Sequence, residues 1–353
     1  MQSTRRALKR WVLVAPALLL AGALAVGAPA SPGQAGTPAK PSCTAVVAKP
    51  AAAAGATAPV TVTTVDGGRL VVASVCIGRS GPYPFVVDTG SPRSAIDARL
   101  ASALHLAPRG AVALGGSGCA TSGRLVVVPA LRVGSIAVDG QDMVRTSLSG
   151  WSGRRFDGVL GSDVWGRFGA VRLDLTRQTL SVAAPEGPPS TSHAVVEGGS
   201  GANPPPSVAL STTAFSAPLV VVLAPGSIAA FVKASVAGHG PYAFAVDTGS
   251  PTSSLSATVG FTIGLSDQGV GGAPGGIGCT GSVHLLVPAT LAFASSGPSS
   301  PSGSSEWTVA LRATDVPGPL RSGMVGSVGL DVLGAHGALV VDYTDATLTT
   351  GSG

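Results

Sequence analysis

The chain contains the same passage twice. Gly81-Pro82-Tyr83-Pro84-Phe85-Val86-Val87-Asp88-Thr89-Gly90-Ser91-Pro92 returns 159 residues later as Gly240-Pro241-Tyr242-Ala243-Phe244-Ala245-Val246-Asp247-Thr248-Gly249-Ser250-Pro251, differing only at Pro84/Ala243 and Val86/Ala245. Further pairs continue the correspondence: Leu104-His105-Leu106 with Ile263-Gly264-Leu265, Gly118-Cys119 with Gly278-Cys279, and Val128-Pro129-Ala130 with Val287-Pro288-Ala289. It closes with the segment Gly161 to Gly169 against Gly329 to Gly337. A sequence repeated in register builds two units of one architecture. The copies occupy about 59–184 and 217–351. Between them, 185–216 carries Pro188-Pro189, Gly198-Gly199 and Pro204-Pro205-Pro206, and before them 31–58 is rich in Ala, Pro and Gly. Both stretches read as linker or tether.

Within each copy the apolar residues fall in short β-branched runs, such as Leu70 to Ile77, Phe85 to Val87, Leu125 to Val128 and Val171 to Leu175, punctuated by Gly and Pro. That pattern predicts an all-β unit. Helical spacing is confined to Ala98 to Leu106 and a turn or two at Val164 to Phe168, with counterparts near Ala257 to Leu265 and Val332 to Gly334. Residues 294–305 are a Ser/Gly/Pro insertion, read as a surface loop. With 45% hydrophobic and 11% charged residues the chain can bury a core, and neither collagen nor coiled coil fits. The net charge of +5 owes four cations to Arg5, Arg6, Lys9 and Arg10, which leaves 18 basic against 17 acidic residues beyond position 10 and no nucleic-acid footprint.

Those cations precede the apolar run Trp11 to Val26 and the small residues Ala28-Pro29-Ala30, so residues 1–30 read as an export signal or a signal anchor. A secreted or cell-surface location follows, and in that oxidising setting Cys43, Cys76, Cys119 and Cys279 are expected in disulfides rather than on metal. The five histidines are scattered without ligand spacing, so no metal and no cofactor is expected.

The chemistry lies in the repeated Asp-Thr-Gly-Ser. Each aspartate follows an apolar strand, so its carboxyl is carried to the end of a buried element, where lack of partners would be costly. Thr89, Gly90 and Ser91, and Thr248, Gly249 and Ser250, supply hydroxyls and closely approaching backbone N–H groups. A single Asp-Thr-Gly is most simply a hydrogen-bonded turn. Two copies packed about a pseudo-two-fold axis would instead bring Asp88 and Asp247 together, and two adjacent carboxyls share one proton. The ionised member can take a proton from water while the protonated one hydrogen-bonds a scissile carbonyl.

In these residues the chain resembles the aspartic proteases, of the retropepsin-like and pepsin-like folds, whose active-site signature is V-D-T-G-S; a hydrophobic-hydrophobic-Gly element also appears as Val159-Leu160-Gly161 and as Met324-Val325-Gly326 or Ser327-Val328-Gly329. The resemblance implies a bilobal fold of two β-barrel-like lobes and Asp88 and Asp247 as the catalytic dyad. It further implies Thr89 and Thr248 as cross-links between lobes, and Ser91 and Ser250 bonding the outer carboxylate oxygens. Flap hairpins are implied near Gly115, Gly116 and Gly118 and near Gly275, Gly276 and Gly278. Pro92 and Pro251 are less usual after that signature. Four cysteines allow three pairings; Cys119 and Cys279 hold equivalent places that could meet at the axis, which favours Cys119–Cys279 with Cys43–Cys76. The function implied is a monomeric aspartic endopeptidase acting on a peptide or protein substrate, and the alternative is a non-catalytic peptide-binding or cell-surface module of the same fold.

Overall fold

The structure, a computed structural model, describes residues 43, 55–65, 67–116, 119–148, 155–183, 194–198, 208–271, 283–293, 306–314 and 323–353. The export segment, Gly118, Gly275, Gly276, Gly278, Cys279 and the insertion 294–305 lie outside the described residues. No described helix is long and apolar enough to cross a membrane.

The first copy folds as β1 (Thr57–Val65), β2 (Gly68–Ile77), β3 (Ser80–Val87), β4 (Ala95–Asp97), α1 (Ala98–Ala103), β5 (Pro108–Gly116), β6 (Cys119–Val133), β7 (Ile136–Thr146), β8 (Gly158–Leu160), α2 (Ser162–Trp165), β9 (Ala170–Asp174) and β10 (Thr179–Val182). A 3₁₀ turn at Gly166–Phe168 follows α2. The order β2-β3-β8-β4-β7-β6 returns to β2, closing a ring of hydrogen-bonded strands. Closure leaves the ring no free edge. Its central strand β3 pairs antiparallel with β2 and parallel with β8, which explains why Phe85, Val86 and Val87 are all buried rather than alternating.

The second copy begins with β11 (Ala194–Glu197), β12 (Thr212–Ala224), β13 (Ser227–Val236), β14 (His239–Val246), β15 (Ser254–Ser256) and α3 (Ala257–Thr262). It continues through β16 (Asp267–Val270), β17 (Val283–Leu286), β18 (Ala289–Phe293), β19 (Glu306–Val309), β20 (Arg312–Thr314), β21 (Met324–Val328), α4 (Leu330–Leu333), β22 (Ala338–Asp342) and β23 (Thr347–Ser352). The parallel pair β14–β21 and the antiparallel pair β15–β21 reproduce β3–β8 and β4–β8. The all-β, two-lobed architecture with short helices is therefore the one the repeat implies.

The lobes are joined by a third sheet, ordered β1-β10-β9-β22-β23-β12. Each half contributes equivalent strands in mirrored order, and the central antiparallel pair, Ala170↔Asp342 to Asp174↔Ala338, places a pseudo-two-fold axis between the copies. Cross-lobe contacts flank it. Ile228 N donates to Pro92 O at 3.1 Å, and a methyl built on Gly68 would overlap Pro251, so the two unusual prolines seat the hairpin of the opposite lobe.

The linker reading needs correction. Within 185–216, Ala194–Glu197 is a strand paired with Val220–Leu223, β12 has begun by Thr212, and Val208 is fully buried against Ala170, Ala183 and Val340. Short runs such as Ala194-Val195-Val196 hold enough β-branched surface to add to a sheet edge even amid Pro and Gly. The tether reading fails likewise at Cys43, which is bonded to Cys76 as expected, closing 33 residues of chain onto β2.

Trp165 on α2 is fully buried, and its Nε1–H donates to Leu160 O at 2.9 Å, the carbonyl that also accepts from Asp88 N at 3.0 Å. Truncating a buried Trp costs about 3–5 kcal/mol. Trp165→Ala is therefore expected to lower the denaturant midpoint by a cost of that size, and a loss under about 1 kcal/mol would contradict this placement of α2.

Candidate active site

Asp88 follows the end of β3 and Asp247 the end of β14, the strands that pair in parallel with β8 and β21. The two strands are anchored alike: Asp88 N donates to Leu160 O and Asp247 N to Val328 O, both at 3.0 Å. This settles which segment is the second hydrophobic-hydrophobic-Gly element. Ser327-Val328-Gly329 takes the place of Val159-Leu160-Gly161, whereas Gly326 pairs with Phe244 as Gly158 does with Phe85.

The two loops cross. Thr89 Oγ1 donates to Val246 O at 2.7 Å and Thr248 Oγ1 to Val87 O at 2.8 Å, while each hydroxyl oxygen accepts the other threonine's N–H at 3.0 and 3.2 Å. Both threonines are buried, so four satisfied bonds span the axis in a site of low polarity. The crossing sets each glycine against the opposite carboxyl. A methyl built on Gly90 would overlap Asp247, and one on Gly249 would overlap Asp88. The requirement for glycine here is space for close approach.

Asp88 and Asp247 share a hydrogen bond between their carboxyls. Asp88 is buried, and its Oδ1 accepts from Gly90 N and Ser91 N, both at 2.9 Å; the Gly249 N–H also serves it. Burial raises the Asp88 carboxyl while these amides pull it back. Asp247 is half-buried and is raised well above the usual carboxylate range, first by desolvation and then by the charge of Asp88; the Gly249 N–H and the Ser327 hydroxyl oppose this. Between the two steps in which such a pair titrates it holds one proton, and the charge of Asp88 directs that proton toward Asp247.

The serines depart from expectation. Ser91 Oγ donates to Arg93 O and Ser250 Oγ to Thr252 O, both at 2.7 Å, so neither spends its hydrogen on a carboxylate. A hydroxyl has one hydrogen, and the turn of each loop brings a carbonyl within its reach; the Ser91 backbone N–H meets Asp88 instead. Gly115 and Gly116 pair with Ala120 and Cys119 toward the tip of the β5–β6 hairpin. Cys119 is in β6, but its pairing with Cys279 lies outside the described residues.

The sequence reading missed a second repeated carboxylate. Asp163 Oδ1 accepts from Ser94 N at 2.9 Å and Ser94 Oγ at 2.6 Å, and its Oδ2 accepts from Gln141 Nε2 at 2.8 Å. Ser94 Oγ in turn accepts Gly161 N at 2.9 Å. Asp331 and Ser253 repeat the arrangement, with Ser253 N at 2.9 Å, Ser253 Oγ at 2.7 Å and Gly329 N donating to Ser253 Oγ at 3.0 Å. These carboxylates tie each aspartate loop to the helix behind it. The signal was present, since Gly161-Ser162-Asp163 and Gly329-Leu330-Asp331 align in the repeat.

Residues 71–164 match a family model described as aspartyl protease. No curated protein gives a significant sequence match. Among solved structures the chain is similar to an aspartic proteinase from Irpex lacteus, at 15% identity and a TM-score of 0.41 over 84% of this chain and 97% of that one. It is also similar to basic 7S globulin from soybean, at 12% identity and a TM-score of 0.40 over 84% and 94%.

The buried carboxyls fix the sign of the pH dependence of stability. Burial raises Asp163 to about 6, so it keeps its proton when folded after the unfolded chain has lost it; its contribution is complete below about pH 4 and is lost as pH rises through about 6, a change of roughly 3 kcal/mol. Asp88 and Asp247 act in the same direction. Asp97 and Asp174 act oppositely: burial pushes each up, but amides and arginines prevail and hold them low, so their contribution is lost at more acid pH. The melting temperature should thus peak near pH 4–5 and fall toward pH 7, and Asp163→Asn should flatten that fall. A melting temperature that rises from pH 4 to 7 would contradict the burial of these groups.

Proposed function

We propose that the chain is an aspartic endopeptidase in which Asp88 and Asp247 form one catalytic dyad. The observation that carries this reading is the pair of carboxyls, one from each copy, each set against the glycine of the opposite loop and joined to each other by a hydrogen bond at the axis. Charged Asp88 takes a proton from a water molecule, whose oxygen bonds to the carbonyl carbon of an extended peptide. Neutral Asp247 gives a hydrogen bond, then its proton, to the carbonyl oxygen. Collapse of the tetrahedral intermediate breaks the C–N bond, the amine nitrogen takes up the proton held by Asp88, and Asp247 regains its own from the collapsing gem-diol. No step requires a metal or a covalent intermediate.

The match over 71–164 supports the reading, as do intact Asp, Thr, Gly and Ser in both copies. We place the enzyme outside the cytoplasm, exported through residues 1–30, and working as a monomer on unfolded or extended protein segments. Gly115 and Gly116, with Gly118, Gly275, Gly276 and Gly278, are proposed to belong to hairpins over the cleft, nearly uncharged and suited to apolar side chains beside the scissile bond.

Purified protein incubated with an unfolded protein substrate across pH should cleave best on the acid side, where the dyad carries one negative charge, and lose activity as the second proton leaves. Asp88→Asn and Asp247→Asn should each reduce cleavage at least about 10³-fold, since a dyad acts as a unit, while the melting temperature on the acid side, where the pair keeps its protons, is not lowered. Full activity at pH 9, or cleavage that survives either substitution, would overturn the proposal; absence of cleavage at any pH would leave the non-catalytic peptide-binding module.

A further inference from the structure

The two halves of the site are built from one repeat, yet the floor beneath them differs. Under the first lobe's loop, Ser162 Oγ donates to Thr89 O at 2.7 Å, and the Tyr343 hydroxyl lies 2.8 Å from Ser162 Oγ. Ser162 has spent its one hydrogen on Thr89, so Tyr343 is the donor between them. Ser162 and Tyr343 are both buried. Tyr343 comes from the second lobe, at the end of β22, and is held by its own N–H on Gly169 O at 2.7 Å. The repeat-equivalent positions in the other half are Leu330 and Leu175, which offer no hydroxyl; Leu175 packs against Gly334 instead.

Thr89 C=O and Gly90 N–H belong to one peptide unit, and that N–H donates to Asp88 Oδ1 at 2.9 Å. A continuous chain therefore runs Tyr343 O–H to Ser162 O–H to Thr89 C=O, and through the peptide to Gly90 N–H and Asp88. Successive hydrogen bonds polarise one another, so donation to the carbonyl strengthens the amide as a donor at the other end. The effect favours negative charge on Asp88, and among the described residues the equivalent positions behind Thr248, Leu330 and Leu175, offer Asp247 no such hydroxyl.

We propose that the Tyr343 hydroxyl is a positioning group that acts through Ser162 and the Thr89–Gly90 peptide to fix the dyad's negative charge on Asp88. The proposal rests on the reading of Asp88 and Asp247 as a proton-sharing pair. The titratable groups facing the chain are Asp88 and Asp163 around Tyr343, with Asp247 beside Asp88; Asp163 is itself near Arg93 and is held by Ser94 and Gln141. Tyr343 stays protonated throughout, since burial raises it first and the Asp88 and Asp163 charges add to that.

The test is a carboxyl titration by NMR on the full chain labelled with ¹³C-aspartate, with Asp88→Asn, Asp247→Asn and Asp163→Asn used to assign the signals. The dyad titrates in two apparent steps, which belong to the pair. Tyr343→Phe should raise the first step by about 0.5 to 1 unit and leave the second unmoved, because the charge on Asp88 is present on both sides of the second step. Ser162→Ala, which removes the donor outright, should raise the first step at least as far, and it decides the matter should Tyr343→Phe fail to fold. A first step unchanged in a folded variant, or both steps moved equally, would overturn the proposal and leave Tyr343 a packing residue. The titration is read from the carboxyls themselves, so a chain that cleaves nothing would refute the endopeptidase reading, and the shift of the first step would still decide the role of Tyr343.

Discussion

Everything at the centre of this molecule depends on how closely two loops can approach. Thr89 and Thr248 each send a hydroxyl to the carbonyl that precedes the other loop's aspartate and accept the other's amide. Removing one partner would strand a buried carbonyl or amide, at about 1–3 kcal/mol, so the four bonds hold as a set. With the backbones that near, only glycine fits at positions 90 and 249, and the two carboxyls have no room to separate. Their shared proton is a consequence of that crowding. The six-stranded sheet across the axis and the Pro92 and Pro251 contacts fix the lobes in the one relation that permits it.

Duplication supplies symmetry, and the surroundings of the two carboxyls depart from it. A symmetric pair would carry one proton on either carboxyl with equal occupancy, whereas unlike surroundings favour one of them. The differences lie behind the loops. Ser162 and Tyr343 face Leu330 and Leu175 in the equivalent places, Ser327 stands where the first lobe has Val159, and Asp163 is buried while Asp331 is exposed. Among the described residues of the second lobe, no side-chain amide reaches Asp331 as Gln141 reaches Asp163 from β7. Identical loops thus rest on unlike supports, and the supports decide which carboxyl ionises.

The repeat made the lobes and the dyad legible, because a buried strand ending in Asp-Thr-Gly-Ser has few uses and two in register have fewer. The ring closure and the interlobe sheet were less visible. Nothing local in Ala170–Asp174 or Ala338–Asp342 says that these strands pair with each other rather than within a lobe; that pairing depends on the pseudo-symmetry acting on both at once. Ala194–Glu197 was hidden by the prolines and glycines around it, since composition averaged over 185–216 conceals four residues. The hydroxyls of Ser91 and Ser250 were misassigned for a different reason: a side-chain hydroxyl chooses among acceptors by sub-ångström geometry, and a carbonyl two residues on competed better than the carboxylate. Tyr343 could not have been found, because it reaches Ser162 across 181 residues of sequence.

The central claim is that one chain supplies both carboxyls of one site. Mixing the Asp88→Asn and Asp247→Asn chains, with the unaltered chain as reference, tests it most directly through the cleavage rate of the mixture. If each chain closes its own copies about the axis, every site in the mixture lacks one carboxyl and the rate stays at that of the separate mutants. Recovery toward about a quarter or more of the reference rate would mean that copies pair between chains, and the intrachain axis would be wrong.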